Sequence, residues 1–590
     1  MTDSLKQISF YLAKDRYKSF DELLKKNVTD NYAKGKEVKI KYDKDIEFDI
    51  EKVKCRFIFC KTSNPRKVPK WVSFINTKLK EEDRIKTNEY GYSQTTKSVL
   101  LLKTDSKIVV ATFGFGDSLI EKSRFCPDFG IKTAMNLCGN ERVKQASMTQ
   151  HKDEVQHVSR QSSKFSSFSD FDMNETDFLN YISAQMEENL FLQGRDKITL
   201  QTKGEEEISW KNIIAYVNKF IKAYYKDDYK TLFPNYANFN QIVDIDVITN
   251  LDNILLGLIK SKQVDKIQLC VPEFINDDEF WFVYRNNDVE VPFIQINDFY
   301  DSSRKVFNCD LKDLDIRILK NTKVYPVNVA EDKVLMYRFW KVYDCIIADV
   351  DFDDNRYILS SGIWRKAEKD FVNNIFNNLP NVENVRDDFK YVNISDNTNC
   401  TNRESIYNEF IGNTVKDIIV FDKSKSKITN GKKLYEFCDL LDVSGNKFDI
   451  IQVKQKAGSS RISYLFTQAK FYGEAFLFDE TFLKEIKNNI SNNSNIKTTL
   501  KNKALAYIPD TINENRGDMY NIRLFILYDK NKPEPALKDL PLLALYELSQ
   551  TYIMLKTKLK YNDVSISFIP VDMLPQTIKI KKLKKVKNKP

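Results

Sequence analysis

Leu434–Lys454 reads LYEFCDLLDV-SGNK-FDIIQVK, and its pattern decides the fold of the C-terminal third of this 590-residue chain. Leu434–Val443 is dense in apolar and aromatic residues, as a strand is, and Ser444–Gly445–Asn446 is turn chemistry. Phe448–Lys454 follows as a second apolar run of strand length. Working outward, Thr414–Phe421 (TVKDIIVF) precedes these two as another strand, and Asn402–Ile411 (NRESIYNEFI) before it has helical character. On the other side, Ile462, Leu465, Phe466 and Ala469 recur at helical spacing, giving a helix over Arg461–Phe476. Ile522–Tyr528 (IRLFILY) is then a further strand. The expected core is helix, three strands, helix, strand. Asn488–Asn495 is read as an inserted loop, and the region closes with a helix at Ala544–Lys558 and a strand at Val564–Pro570.

Cores stop growing near ~250–300 residues, so the chain should hold about three units. We expect an α+β multidomain protein: an N-terminal α+β domain over 1–175, a middle α/β domain over 176–390, and the core just described, with its tail, over 391–590. In the first part, Ile8–Ala13 reads as a strand, Ser19–Lys26 as a short helix and Val99–Gly114 as a hairpin. A helix should begin near Ile131, and the polar stretch Gln145–Phe171 reads as a loop or domain edge. In the middle, Asn212–Tyr225 is helical, and RYILSSGIWRKAEKDFVNNIF reads as strand, Ser-Gly turn and helix from about Lys366.

Composition narrows the class. Hydrophobic residues make up 42% and aromatics 13%, enough for folded units along the whole length. The nine cysteines include no CxxC pair, which argues for buried reduced thiols rather than a disulfide framework or zinc finger. The start, MTDSLKQISFYLAK, lacks a leader-type apolar region, and no apolar run reaches ~18 residues. A cytoplasmic protein with no membrane partner is therefore expected. Of the net charge of +9, the region from Arg386 to Pro590 carries all, with 34 Lys+Arg against 24 Asp+Glu. Seven lysines fall within Lys579–Pro590, which suggests a polyanion partner or a solvated tail.

Phosphodiester hydrolysis uses a divalent cation to polarise phosphoryl oxygens and supply hydroxide. Magnesium takes hard oxygen ligands, and a nearby lysine offsets developing charge. Residues i and i+2 of a strand share a side, so Gln452 and Lys454 point together, and the turn at Ser444–Asn446 folds Asp439 back beside them. Glu436 faces the other side of a regular strand, which makes it the weaker candidate; Glu404 or Glu409 on the preceding helix adds a further polar group. Elsewhere, His151 and His157 read as exposed loop residues, Asp349–Asp354 (DVDFDD) as a solvated loop, and Lys219–Lys230 as a core-facing amphipathic helix. No GxxxxGK[ST] phosphate loop is present.

Asp439, twelve residues, then Gln452-x-Lys454 resembles the motif of the PD-(D/E)XK nucleases, in which an acid on one strand is followed by Glu/Asp-x-Lys on the next. Glutamine at the middle place resembles the Mrr-like restriction branch. The resemblance implies a restriction-endonuclease-like core. It also implies Mg²⁺ or Mn²⁺ held by Asp439, Glu436, Gln452 and Glu404, with Lys454 positioning water. At longer range, blocks such as VLLLKTDSKIVVATFGFGDSLI, YILSSGIWRKAEKDFV and FDIIQVKQKAGSSRISYLFTQA resemble a sporadically distributed, uncharacterised bacterial family found near restriction and phage-defence genes. That family carries His where this chain has Gln452. The expectation is a metal-dependent endonuclease acting on DNA, with RNA as an alternative, in antiviral defence, as a homo-oligomer or beside a partner protein of a defence system. The competing expectation is an inactive nuclease-like module that binds nucleic acid or a partner.

Overall fold

Every residue from Asn521 to Tyr528 is buried, and the alternation along this run explains why. In the computed structural model, Ile522, Leu524 and Ile526 enter one apolar cluster while Phe525 and Leu527 enter another. A strand covered on both faces needs apolar residues throughout. The structure describes residues 4–30, 36–65, 80–84, 92–104, 107–151, 155–263, 266–272, 280–284, 289–328, 333–334, 339–394, 403–421, 424–428, 434–455 and 459–573. The lysine-rich stretch Lys579–Pro590 lies outside them.

The C-terminal unit runs α1 (Arg403–Thr414), β1 (Ile418–Val420), β2 (Leu440–Asp442), β3 (Asp449–Gln455), α2 (Ser459–Phe478), β4 (Asn521–Asp529), α3 (Leu542–Tyr552) and β5 (Asp563–Val571). Its sheet has the order Asn381–Val382, β5, β4, β3, β2, β1. The pairs β1–β2 and β2–β3 are antiparallel, whereas β3–β4 and β4–β5 are parallel. The helices α2 and α3 cover one face through Ile462, Leu465, Phe466, Leu545 and Leu548. On the other face α1 contributes Tyr407 and Ile411. Two details depart from expectation. The strand read over Leu434–Val443 is broken, with Leu434–Glu436 pairing Lys425–Lys427 in a separate ladder. Of the asparagine-rich stretch Asn488–Asn495, the part up to Asn492 belongs to a helix over Glu480–Asn492, because Ile486 and Ile490 are buried at helical spacing while Asn488 and Asn492 are exposed.

Among the described residues the first sheet has ten strands, and Phe178–Glu187, Leu190–Gly194 and Ile198–Thr202 belong to it. The break expected at 175/176 therefore falls inside this unit. The break expected at 390/391 likewise falls after Asn381–Val382 has joined β5. Gln145–Phe171, read as a loop, is mostly the antiparallel pair Val143–His151 and Val155–Ser166, whose outer strand alternates half-buried and exposed positions at the sheet edge. Ser19–Lys26 contains only the short turn Asp21–Leu23. Gly130, in the helix Phe129–Cys138, lies against the hairpin end at Gly194 so closely that a Cβ on Gly130 would stand 2.0 Å from the Lys197 carbonyl oxygen.

The middle region contributes two smaller sheets, one built on Ile346–Phe352, Asn355–Ser360 and Ile363–Ala367. The acidic run expected to be a solvated loop is thus a hairpin, and Asp349 is 4% exposed. Rings join the three regions: Phe178 to Phe239 at 5.0 Å, Phe239 to Phe371 at 5.4 Å, Phe371 to Tyr546 of α3 at 6.0 Å. Asp349 accepts from the Leu542 N–H, and Arg356 donates to the Leu540 and Lys538 carbonyls, which fixes the start of α3 to the middle sheet. The eight described cysteines are free thiols. Among the described residues no helix is long and apolar enough to cross a membrane.

Candidate functional site

The pairing of β2 with β3 ends at Leu440–Ile451, four residues before β3 itself ends. The chain entering β2 bends at Asp439, whose N–H donates to the Ile451 carbonyl at 3.0 Å. Beyond that point β3 would show unpaired amides, and such donors need acceptors when buried. Two carboxylates supply them. Asp439 Oδ2 accepts from the Val453 N–H at 2.7 Å, and Glu404 Oε1 accepts from the Gln455 N–H at 3.0 Å. Val453 and Gln455 point these amides to the same side of the strand, one pleat repeat of ~6.6 Å apart. The carboxylates of Asp439 and Glu404 stand in for a strand that has turned away.

The helix α1 delivers two groups from one face. Glu404 Oε2 accepts from Lys454 Nζ at 2.9 Å, with both side chains about one-fifth exposed. One turn later Asn408, fully buried, donates Nδ2–H to Asp439 Oδ1 at 3.2 Å. The i, i+4 spacing is what lets one helix face touch both ends of the cluster. Tyr407 anchors α1 by donating its hydroxyl to the Phe389 carbonyl at 3.0 Å. Lys454 also lies 5.9 Å from the centre of the Tyr464 ring on α2.

Gln452 is 4% exposed, and its Nε2–H donates to the Phe437 carbonyl at 2.7 Å. The side chain clasps the broken segment Phe437–Asp439 to β3. A carboxylate at this place has no hydrogen to give that carbonyl unless it is protonated, which is a physical reason for an amide here. Glu436 sits on the separate ladder, opposite Lys425. Burial pushes the neighbouring Cys438 thiol well up, and the charges of Asp439 and Glu436 add to this. Glu409 is exposed on α1.

The structure therefore brings Asp439, Glu404 and Lys454 together along the free edge of β3. It sets Gln452 beneath them with its amide committed to the backbone, and places Glu436 on the adjoining ladder. Among the described residues no three His, Cys, Asp or Glu side chains are grouped so that they alone could hold a metal ion. Asn408 was not singled out from sequence, where only its place four residues after Glu404 marks it. The two histidines are not loop residues: His151 is buried on a strand, and His157, on the strand Val155–Ser166, donates Nε2–H to the Val271 carbonyl and bonds the Thr149 hydroxyl through Nδ1.

Fold and site define an α+β protein of several sheets with a carboxylate–lysine cluster at the open edge of one mixed sheet. The chain belongs to a family of unknown function, DUF6119, whose model matches residues 8–570. No curated protein and no solved structure matches it.

Proposed function

We propose that this chain is a metal-dependent nuclease acting on DNA, with the cluster on β3 as its catalytic site and foreign DNA as its target. The observation that carries the reading is the meeting of Asp439, Glu404 and Lys454 where an antiparallel three-strand meander passes, through α2, to a parallel strand. We read the helix α1, the strands β1–β3, the helix α2 and the strand β4 as a restriction-endonuclease-like core, with two further helices, Glu480–Asn492 and Thr498–Leu505, set between α2 and β4.

The donor chemistry suits a hard cation such as Mg²⁺ or Mn²⁺: two carboxylates and the side-chain oxygen of Gln452. Asp439 and Glu404 would hold it. When bound, it would supply charge at the phosphoryl oxygens and a water of lowered pKa. The chain's own groups do the positioning. Asn408 and the Val453 N–H fix the rotamer of Asp439. Lys454 Nζ, held beside Glu404, can turn its other hydrogens to a phosphoryl oxygen or to the attacking water.

A second reading has an observation of its own. Both oxygens of Glu404 already serve protein donors and its charge is paired with Lys454, as in a nuclease-like module that only binds DNA. Incubating purified protein with supercoiled plasmid and phage DNA in Mg²⁺ or Mn²⁺ separates the two. The nuclease reading expects cleavage that Asp439→Ala and Lys454→Ala abolish. Salt-sensitive binding retained by both variants, without cleavage, would establish the binding module instead.

A further inference from the structure

A cleft of about 710 Å³ opens between the far end of the ten-stranded sheet and the middle unit, away from the β3 cluster. Its size is that of a cofactor or nucleotide site rather than of a single small ion. Most of its charged groups are already neutralised. Lys132 pairs with Asp128 at 2.8 Å, and Lys122 lies 3.5 Å from Asp196. Two arginines differ. Arg195, at the hairpin end set by the Gly130–Gly194 contact, lies 4.7 Å over the Tyr181 ring. Arg365, half-buried on the strand Ile363–Ala367, lies 4.6 Å over the Phe178 ring. Among the described residues neither has a carboxylate within ion-pairing distance. Arg365 directs one nitrogen to the Ser360 and Ile363 carbonyls, leaving the rest of its fork unmatched. For Arg365, partly withdrawn from water, the lack of an anion is costly, and in both arginines a planar fork backed by a ring is suited to phosphate.

The same cleft holds an acceptor. Asp344 lines it, and Gly362, at φ +72°, leaves the space that this carboxylate fills: a Cβ there would stand 2.4 Å from Asp344 Oδ1. Burial raises the Asp344 carboxyl above its ordinary range. The rings of Tyr229 and Tyr236, edge to face at 5.7 Å, form an apolar wall. Two arginines without counter-ions, a hydrogen-bond acceptor and an aromatic wall suit three parts of one molecule: phosphate, amino-bearing base and base face.

We propose that this cleft is a nucleotide-binding site, with Arg195 and Arg365 taking phosphate and Asp344 accepting from the base. The proposal is independent of the β3 cluster. Its test is calorimetric titration of the full chain with ATP, beside adenosine and inorganic pyrophosphate as the two halves. ATP should bind more tightly than either half. Arg195→Ala and Arg365→Ala should each weaken it by roughly tenfold or more, the usual effect of losing a charged hydrogen bond. Arg195 is exposed, so its variant will fold and tests the phosphate contact on its own. No binding of ATP, equal binding of ATP and adenosine, equal binding of ATP and pyrophosphate, or unchanged affinity in the Arg195 variant would each overturn the proposal.

Discussion

Replacing Asp439 by alanine and by asparagine separates what its carboxylate does for the fold from what it does for chemistry. In the wild type it accepts from the Val453 N–H at 2.7 Å and from Asn408 Nδ2 at 3.2 Å. Val453 is 2% exposed and Asn408 is fully buried, so water cannot replace either bond. Alanine leaves two buried donors unmatched, at about 1–3 kcal/mol each, for a loss of roughly 2–6 kcal/mol. Asparagine keeps one oxygen for Val453. Its new N–H₂ meets Asn408, whose Oδ1 is buried without a hydrogen-bond partner and becomes an acceptor when that amide turns. The expected loss is then below about 1 kcal/mol. Amide exchange at Val453 measures the difference, since each ~1.4 kcal/mol of local opening speeds exchange tenfold. Exchange should accelerate by at least tenfold in Asp439→Ala and barely in Asp439→Asn, while both lose DNA cleavage in Mg²⁺. Equal acceleration in the two variants would refute the hydrogen-bond account. Cleavage surviving in Asp439→Asn would refute the need for a carboxylate.

Three further outcomes are expected. Burial raises the Asp349 carboxyl to about 6, so folding favours its protonated form and stability is lost as pH rises from about 4 through 6. Asp349→Asn should match wild type below pH ~4 and exceed it by up to ~3 kcal/mol at pH 8 in denaturant titrations, whereas a pH-independent difference would contradict the assignment. Gln452→Glu removes the donor to the Phe437 carbonyl and should lower the melting temperature through a cost of about 2–4 kcal/mol; Mg²⁺ should restore part of it if a cation binds beside Asp439, and an unchanged melting curve would show that the clasp is unimportant. Gly130→Ala forces a Cβ against the Lys197 carbonyl, a backbone atom that cannot swing aside, so a loss of at least ~2 kcal/mol is expected in thermal unfolding; wild-type stability in this variant would mean that the helix and hairpin are not in contact.

Strands with dense apolar patterning were legible, as at Ile522–Tyr528, where burial on both faces leaves no other composition. Three kinds of residue were not. Polar strands at a sheet edge, such as Val155–Ser166, carry serine and glutamine on their open side and look like loop. An acidic run hid a buried group, because Asp349 is held by an amide almost two hundred residues away at Leu542. Glycine spacing gave no sign that Gly130 and Gly194 touch. At the candidate site, Asp439, Glu404 and Lys454 were nameable because strand and helix periodicity fix their sides. The break at Phe437–Asp439 was not, since it depends on a backbone clasp from Gln452. The partnership of Asn408 with Asp439 requires knowing how α1 crosses the sheet edge.

The central place of β4 and β5 has a consequence for the newborn chain. The groups of the cluster have all been synthesised by Lys454, yet β3 gains its parallel neighbour only at Asn521–Asp529, and that strand is enclosed only by Asp563–Val571, roughly a hundred residues later. At ~5–20 residues per second this is an interval of several seconds or more. During it, Lys454 rides on a strand with one side unsheltered, in a sheet that cannot yet hold it in register with Asp439 and Glu404. An arrangement that needs β4 and β5 to hold it is therefore complete only once Asp563–Val571 has been made.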